Sequence, residues 1–177
     1  MKKYEFTGET KEIRLLFRTA TLHRIRATVA FGIVEVGDLG GWIEKEENLS
    51  HEGKAWVWGN AEVCGDAEVW GNAKVCGDAK VWGNAEVWGN AEVFSASHVL
   101  VIGAIGSRND FTTFYRDKDN EITVKCGCFL GKIDRFLEKV TQTHGDSKYA
   151  LVYRAAVEVA KLQIDLSGEA PKDADEE

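Results

Sequence analysis

A six-residue pattern of small apolar, polar and β-branched positions runs through the middle of the chain. Residues 55–90 repeat Ala-x-Val-x-Gly-Asn/Asp without insertion, and a further copy at 91–96 has lost its glycine. A glycine at every sixth position, always beside Asn or Asp, would break a helix. The Ala-x-Val alternation fits a short strand with two inward side chains, and Gly-Asn/Asp tolerates the positive φ of a sharp turn. The pattern therefore predicts a turn every six residues, with three turns closing one coil of eighteen.

This repeat indicates a parallel β-helix, in which strands eighteen residues apart stack on one another. The hexapeptide signature resembles that of the left-handed β-helix family. The left hand comes from this resemblance, because ordinary parallel crossovers are right-handed. Weaker copies extend the frame upstream, where Gly41, Gly53 and Gly59 share one position. The sequence thus predicts a mainly β protein whose centre, residues 37–102, is a left-handed parallel β-helix of about three coils.

The outward positions of the repeat carry tryptophan, cysteine or phenylalanine, which the eighteen-residue period stacks in columns. Tryptophan columns are unusual on the surface of a monomer and are typical of an interface. We therefore predict a homo-oligomer, a trimer as in many left-handed β-helix proteins, unless terminal segments of the same chain cover this face. The predicted interface consists of Trp58, Trp70, Trp82, Trp88 and Phe94. Other outward positions place Glu62 beside Lys80 and Lys74 beside Glu92, as expected for cross-strand charge pairs.

The segments on either side of the repeat predict smaller units. Residues 1–36 contain short strand patterns and are expected to cap the β-helix. Residues 103–166 predict an α+β module of two strands, FTTFYR and EITVKC, followed by two helices. The first helix has apolar residues at i, i+3, i+4 and i+7, and the second runs over 147–164. The acidic residues 167–177 are predicted to form a disordered tail.

Charge and composition exclude several classes of function. The 177 residues carry a net charge of −7, with no basic stripe of the kind that long nucleic acids require. No apolar run approaches the ~18 residues that span a bilayer, and the N-terminus has no signal-peptide pattern. We therefore expect a cytoplasmic protein with reduced cysteines that binds neither membranes nor long nucleic acid. The cysteine spacing does not match a zinc site, and neither a metal nor a cofactor is predicted.

One turn after the repeat carries the best candidate for ligand binding. The segment IGSRND offers backbone N–H groups, a hydroxyl and a guanidinium, which are common donors to phosphate or ribose. Nearby aromatic residues could stack on a base while an arginine holds a phosphate. The predicted ligand-binding residues are Ser107, Arg108, Asn109, Tyr115, Arg116 and Phe129. The alternative is structural, with Arg108 and Asp110 forming a local ion pair and the aromatic residues lying in the core.

The histidines raise the possibility of an enzyme. Many left-handed β-helix proteins are acyltransferases with a catalytic histidine, for which His51, His98 and His144 are the candidates. Those enzymes usually have more coils and a loop over the acyl-carrier groove, neither of which is visible here. The scattered histidines also fit a zinc-dependent carbonic anhydrase poorly, and no nucleophile elbow, P-loop or dinucleotide fingerprint occurs. An enzymatic function is therefore an alternative to the preferred binding function, and no catalytic residue is assigned.

Several motifs together resemble a group of phage and prophage proteins that combine hexapeptide repeats with a short C-terminal module. These motifs are MKKYEFTGET, TLHRIRA, GDLGGWIEKEENLS, GKAWVWGNAEV, IGSRND, GCFLG and THGD. The resemblance implies the fold and a phage origin, and hence the cytoplasm of an infected bacterium. Some phage proteins of compact, oligomeric build are sponges for nucleotide immune signals, and this analogy suggests sequestration that counters CBASS- or Thoeris-like signalling. The alternatives are a structural or protein-interaction module, an acyltransferase-like enzyme and a nucleotide-cleaving enzyme.

Overall fold

We describe residues 1–167 of a computed structural model. The chain begins with an antiparallel hairpin, β1 (Tyr4–Arg14) and β2 (Thr19–Ala27), and β2 also pairs antiparallel with β3 (Leu39–Ile43). The apolar residues of β2 are buried, and the polar residues between them are exposed or half-buried, so one face of the hairpin packs on the core. A short 3-10 turn at Glu46–Asn48 then leads into the repeat.

The repeat forms seven strands of two residues each. They are β4 (Trp56–Val57), β5 (Glu62–Val63), β6 (Glu68–Val69), β7 (Lys74–Val75), β8 (Lys80–Val81), β9 (Glu86–Val87) and β10 (Glu92–Val93). Strands eighteen residues apart pair in parallel, as in β5 with β8, which confirms the register expected from the period. The valine of each strand and the alanine before it are buried, as the pattern predicts.

The fold-class prediction is wrong, because the structure does not show a left-handed β-helix. A period of six leaves only two residues between turns, and these short strands are divided among three sheets. One of them, in the order β1-β2-β3-β5-β8, is a mixed sheet in which the N-terminal antiparallel strands continue directly into the repeat. The observed architecture is mainly β, with several short mixed and parallel sheets and two helices.

The C-terminal unit follows a second 3-10 turn at Ala96–His98. It consists of β11 (Val99–Ile105), β12 (Asp110–Arg116), β13 (Ile122–Cys126), β14 (Phe129–Lys132), α1 (Ile133–His144) and α2 (Lys148–Gln163). The four strands form one antiparallel sheet in sequence order, where two strands had been predicted. The prediction missed β11, whose residues were assigned partly to the repeat, and β14, which is a short return strand. The predicted acidic tail lies, apart from Ser167, outside the described residues.

Strand β12 joins the two halves of the molecule because its side chains alternate between them. Phe114 belongs to the apolar core of the C-terminal unit, whereas Tyr115 is wholly buried in the core of the repeat. The Tyr115 hydroxyl donates a hydrogen bond to the Trp88 carbonyl at 3.0 Å, and burial raises its pKa. The Glu86 N–H donates to the Thr113 hydroxyl at 3.0 Å. The last turns of the repeat are thus fixed to the C-terminal sheet.

A buried lysine closes the N-terminal end of the repeat. Lys3 is 2% exposed, and its Nζ donates a hydrogen bond to the Ala55 carbonyl at 2.7 Å. The same nitrogen lies 4.8 Å from the centre of the Phe31 ring. Because no carboxylate compensates for the loss of water around this ammonium group, burial lowers the pKa of Lys3 to about 8.

This lowered pKa predicts a pH dependence of stability. Unfolded Lys3 keeps its proton up to about pH 10, whereas folded Lys3 loses it near pH 8. The contribution of Lys3 to the free energy of unfolding should therefore increase as the pH rises between these values. Comparing the wild type with Lys3→Met by urea denaturation, we expect the difference in free energy of unfolding to shift by about 2 kcal/mol in favour of the wild type from pH 7.5 to 9.5.

The comparison must be made as a difference between variants. Burial raises the pKa of the Cys64 thiol to about 12, and this group acts in the opposite direction once the unfolded thiol ionises. Lys2→Met, at a neighbouring and exposed position, is the matched control and should track the wild type. A constant difference between the wild type and Lys3→Met across this range would contradict the assignment.

Candidate functional site

The C-terminal unit contains a cavity of about 270 Å³ between two loops and both helices. The turn after β11 and the turn after β13 form one side, and α1 and α2 form the other. Its lining comprises Ser107, Arg108, Asp110, Cys126, Gly127, Cys128, Phe129, Phe136, Lys139, Val140, Thr143, His144 and Tyr153. The motifs GSRND, CGCF and THGD, which are separate in the sequence, therefore meet around one cavity.

The charge of the lining favours an anion. Arg108, Lys139 and His144 contribute basic side chains, and Asp110 is the one carboxylate among the lining residues. Asp110 accepts a hydrogen bond from the neighbouring Phe111 N–H at 2.7 Å. The Arg108 guanidinium lies over Gly127, where a β-carbon would stand 3.3 Å from Nη1. Gly127 thus gives Arg108 room to lie across the mouth of the cavity.

The inner wall of the cavity is aromatic. Phe129 and Phe136 have ring centres 5.2 Å apart, and Phe136 meets Tyr153 edge to face at 5.5 Å. The His144 ring lies 5.8 Å from the Tyr153 ring. Such a wall, next to basic groups at the opening, suits a ligand that has both a planar ring and a negative charge.

A buried hydroxyl and a thiol lie at the base of this wall. Tyr153 is 6% exposed, and its hydroxyl accepts a hydrogen bond from the Cys126 thiol at 3.8 Å. The Cys126 sulfur in turn accepts a hydrogen bond from Thr112 Oγ1 at 3.3 Å. Burial, reinforced by Cys126, raises the pKa of Tyr153 to about 12. The hydroxyl is therefore protonated at neutral pH and can donate a hydrogen bond to a ligand.

The structure brings together some of the predicted ligand-binding residues and separates others. Ser107, Arg108 and Phe129 line the cavity, and Asn109 lies in the same turn with a φ of 53°. Tyr115 and Arg116 do not line it. Tyr115 points to the other face of β12 and enters the core of the repeat. Arg116 is the last residue of β12, whereas the cavity lies at Asp110, the first, and Arg116 is buried beside Phe94.

The predicted ligand-binding residues include none from the helical side of the cavity, which is formed by Phe136, Lys139, Val140, Thr143, His144 and Tyr153. They also omit Asp110, Cys126, Gly127 and Cys128 on the strand side. The available signal was the pair of motifs GCFLG and THGD, which stood out in the sequence but could not be placed beside IGSRND. His144, one of the candidate histidines of the sequence, is the last residue of α1 and lines the cavity.

The predicted interface residues are partly covered by the chain itself. Trp88 lies under the Lys125 Nζ, at 4.1 Å from its ring centre, and Phe94 is flanked by Arg116. Trp58 packs edge-on against Trp56. Lys80 lies over Trp82 at 5.0 Å.

Trp70 stacks on Trp88 with ring centres 5.7 Å apart and remains 38% exposed. The C-terminal sheet thus covers Trp88 and Phe94, and the oligomeric state stays a prediction.

The expected charge columns are only partly realised as ion pairs. Lys74 pairs with Glu92 at 3.7 Å, as predicted. Glu62 is beside Lys80 in the strand register, but its carboxylate instead bonds to Lys11 of β1 at 2.9 Å. Lys11 of the N-terminal hairpin therefore takes the place beside the Glu62 carboxylate that was expected for Lys80.

Comparisons with known proteins assign no function to this site, which is therefore interpreted from its own chemistry. Searches against protein-family models and against characterised proteins find no match to the chain. Within residues 1–167, no group of three or more His, Cys, Asp or Glu side chains is arranged to hold a metal ion. No helix in the same range is long and apolar enough to cross a membrane.

The fit between Gly106 and Tyr153 predicts a sensitive position at the cavity. A β-carbon at Gly106 would stand 1.8 Å from the Tyr153 hydroxyl oxygen, so Gly106→Ala must displace the tyrosine. Gly59→Ala is the matched control, because Gly59 also has a positive φ but has open space around it. We expect Gly106→Ala to lower the free energy of unfolding by about 1–3 kcal/mol more than Gly59→Ala in urea denaturation. Equal losses would show that Tyr153 does not occupy this position.

Proposed function

We propose that this protein is a non-enzymatic binding protein that holds a small, anionic, nucleotide-like ligand in the C-terminal cavity. The observation that carries this proposal is the convergence of Arg108, Lys139 and His144 on a cavity with an aromatic wall that includes Phe129. Neither feature alone would indicate this class of ligand, since basic groups bind any anion and aromatic walls bind any apolar ring.

Each part of the ligand has a matching group in the cavity. The Arg108 guanidinium can form two parallel hydrogen bonds to a phosphate, and Lys139 adds a second positive charge. Phe129 offers a ring face for a base, and the Ser107 and Tyr153 hydroxyls offer donors. A volume of about 270 Å³ accommodates one nucleotide unit rather than a whole cyclic dinucleotide, so a larger ligand would extend out of the cavity.

The biological role that we propose is sequestration of a nucleotide immune signal in the cytoplasm of a phage-infected bacterium. Stoichiometric binding is sufficient for such a role, because a signal that is held cannot reach its receptor. We further propose that the protein acts as a homo-oligomer, with Trp70 as its most exposed interface tryptophan.

A mix-and-release experiment tests this proposal directly. Purified protein is incubated with a panel of cyclic dinucleotides and cyclic ADP-ribose isomers, and free ligand is quantified before and after heat denaturation. We expect one class of ligand to disappear from solution and to return intact. Return of an altered ligand would identify an enzyme instead, and a panel left untouched would favour a structural or protein-interaction role.

Substitution of Arg108 tests the location of binding. Arg108→Ala removes the charge at the cavity mouth and should weaken binding of the captured ligand about 10- to 100-fold, as measured by titration calorimetry. Arg135→Ala is the matched control, because Arg135 is an exposed arginine of α1 that does not line the cavity. The two variants should have the same oligomeric size in light scattering. Equal affinity of Arg108→Ala and Arg135→Ala would remove this cavity from consideration.

A further inference from the structure

A second cluster of basic side chains lies outside the cavity, where the repeat meets the end of β12. Arg116, the last residue of that strand, is 5% exposed. Its Nε and Nη1 atoms are shielded from solvent and have no hydrogen-bond partner in the structure. Buried guanidinium groups are normally paired with a carboxylate, because they cannot lose their proton.

Among residues 1–167, no carboxylate accepts a hydrogen bond from the Nε or Nη1 of Arg116. The guanidinium carbon lies 5.4 Å from the centre of the Phe94 ring, so one face of the group is covered by an aromatic ring. His98 is also 5% exposed, and the positive charge of Arg116 acts with burial to lower its pKa. Two basic side chains are therefore buried next to each other.

The hydrogen bonds around His98 fix its orientation. His98 Nδ1 accepts a hydrogen bond from the Phe94 N–H at 3.1 Å, so the neutral ring carries its proton on Nε2. The His98 ring and the Arg116 guanidinium both lie against Phe94, at 5.8 and 5.4 Å from the centre of its ring. Among the described residues, the charge of Asp165 acts on both His98 and Arg116 without a direct ion pair, and its Oδ1 accepts hydrogen bonds from the Ser167 N–H and hydroxyl at 2.8 and 2.6 Å.

We propose that Arg116 and His98 form a second binding site, for a phosphate-type oxyanion. The anion would receive hydrogen bonds from the guanidinium and from His98 Nε2–H, and it would bring a negative charge into direct contact with this buried cluster. The donors on Arg116 would be its Nε and Nη1, which have no hydrogen-bond partner in the structure. This site is independent of the proposed function, because neither Arg116 nor His98 lines the C-terminal cavity.

The test uses inorganic phosphate as the probe and Arg108→Ala protein as the parent, so that the cavity contributes as little as possible. Phosphate is titrated at constant ionic strength, with chloride as the balancing anion, and the His98 ring resonances are followed by NMR. We expect a saturable shift of His98 and a rise in its pKa, because a bound anion favours the imidazolium form. Resonances that do not move in this titration overturn the proposal.

Two further variants separate this site from its alternatives. Arg116→Met in the same parent should weaken phosphate binding by about tenfold or more, and an unchanged affinity contradicts the role of Arg116. Asp165→Asn should tighten phosphate binding, because it removes a competing negative charge beside the site. A response to phosphate that occurs in Asp165→Asn but not in the parent would identify Asp165 as an internal counter-ion and would also overturn the proposal.

Discussion

The close approach of glycine backbones in successive turns of the repeat is the constraint on which the rest of the structure depends. Gly53 lies under Gly71, and a β-carbon at Gly53 would be only 2.4 Å from the Gly71 carbonyl oxygen. Gly65 approaches Gly83 and Gly71 approaches Gly89 in the same way, whereas Gly59 has open space. These close approaches hold the eighteen-residue register in which the alanines and valines meet. Every outward side chain, and therefore the surface on which the terminal units pack, follows from that register.

Strand β12 fixes the C-terminal unit on the repeat. Because Tyr115 is anchored in the repeat core, the neighbouring Phe114 must face the other way, toward the two helices. The turn before β12 then places Arg108 at the mouth of the cavity, opposite α1. The candidate site is thus positioned by packing against the repeat, although no repeat residue lines it.

Buried charge is distributed unevenly in the molecule. Lys125 is buried but bonded to Glu86 at 2.9 Å and to the Gly127 carbonyl, so its charge is compensated. Arg116 is equally buried and has no such partner, and Lys3 has only a carbonyl and a ring face. The ion pair of Lys125 with Glu86 stabilises the contact between the repeat and the C-terminal unit. Arg116 keeps unpaired donors, which the proposed anion would occupy.

The sequence by itself determined the period of the repeat, its inward alanines and valines, its turns and the eighteen-residue pairing. These features are local, since each depends on which backbone angles and which faces a residue type allows. It also indicated Ser107, Arg108 and Phe129, because a turn between strands exposes its donors.

Only the tertiary structure decided the architecture and the rest of the site. Two-residue strands do not dictate how sheets continue, and the N-terminal hairpin joined the repeat to make a mixed sheet. Alternation along β12 sent Tyr115 into the repeat core, and Arg116 lies at the end of that strand away from the cavity, while helix packing brought His144 and Tyr153 into it. Contacts between residues distant in the chain are set by the packing of whole elements, which no local pattern encodes.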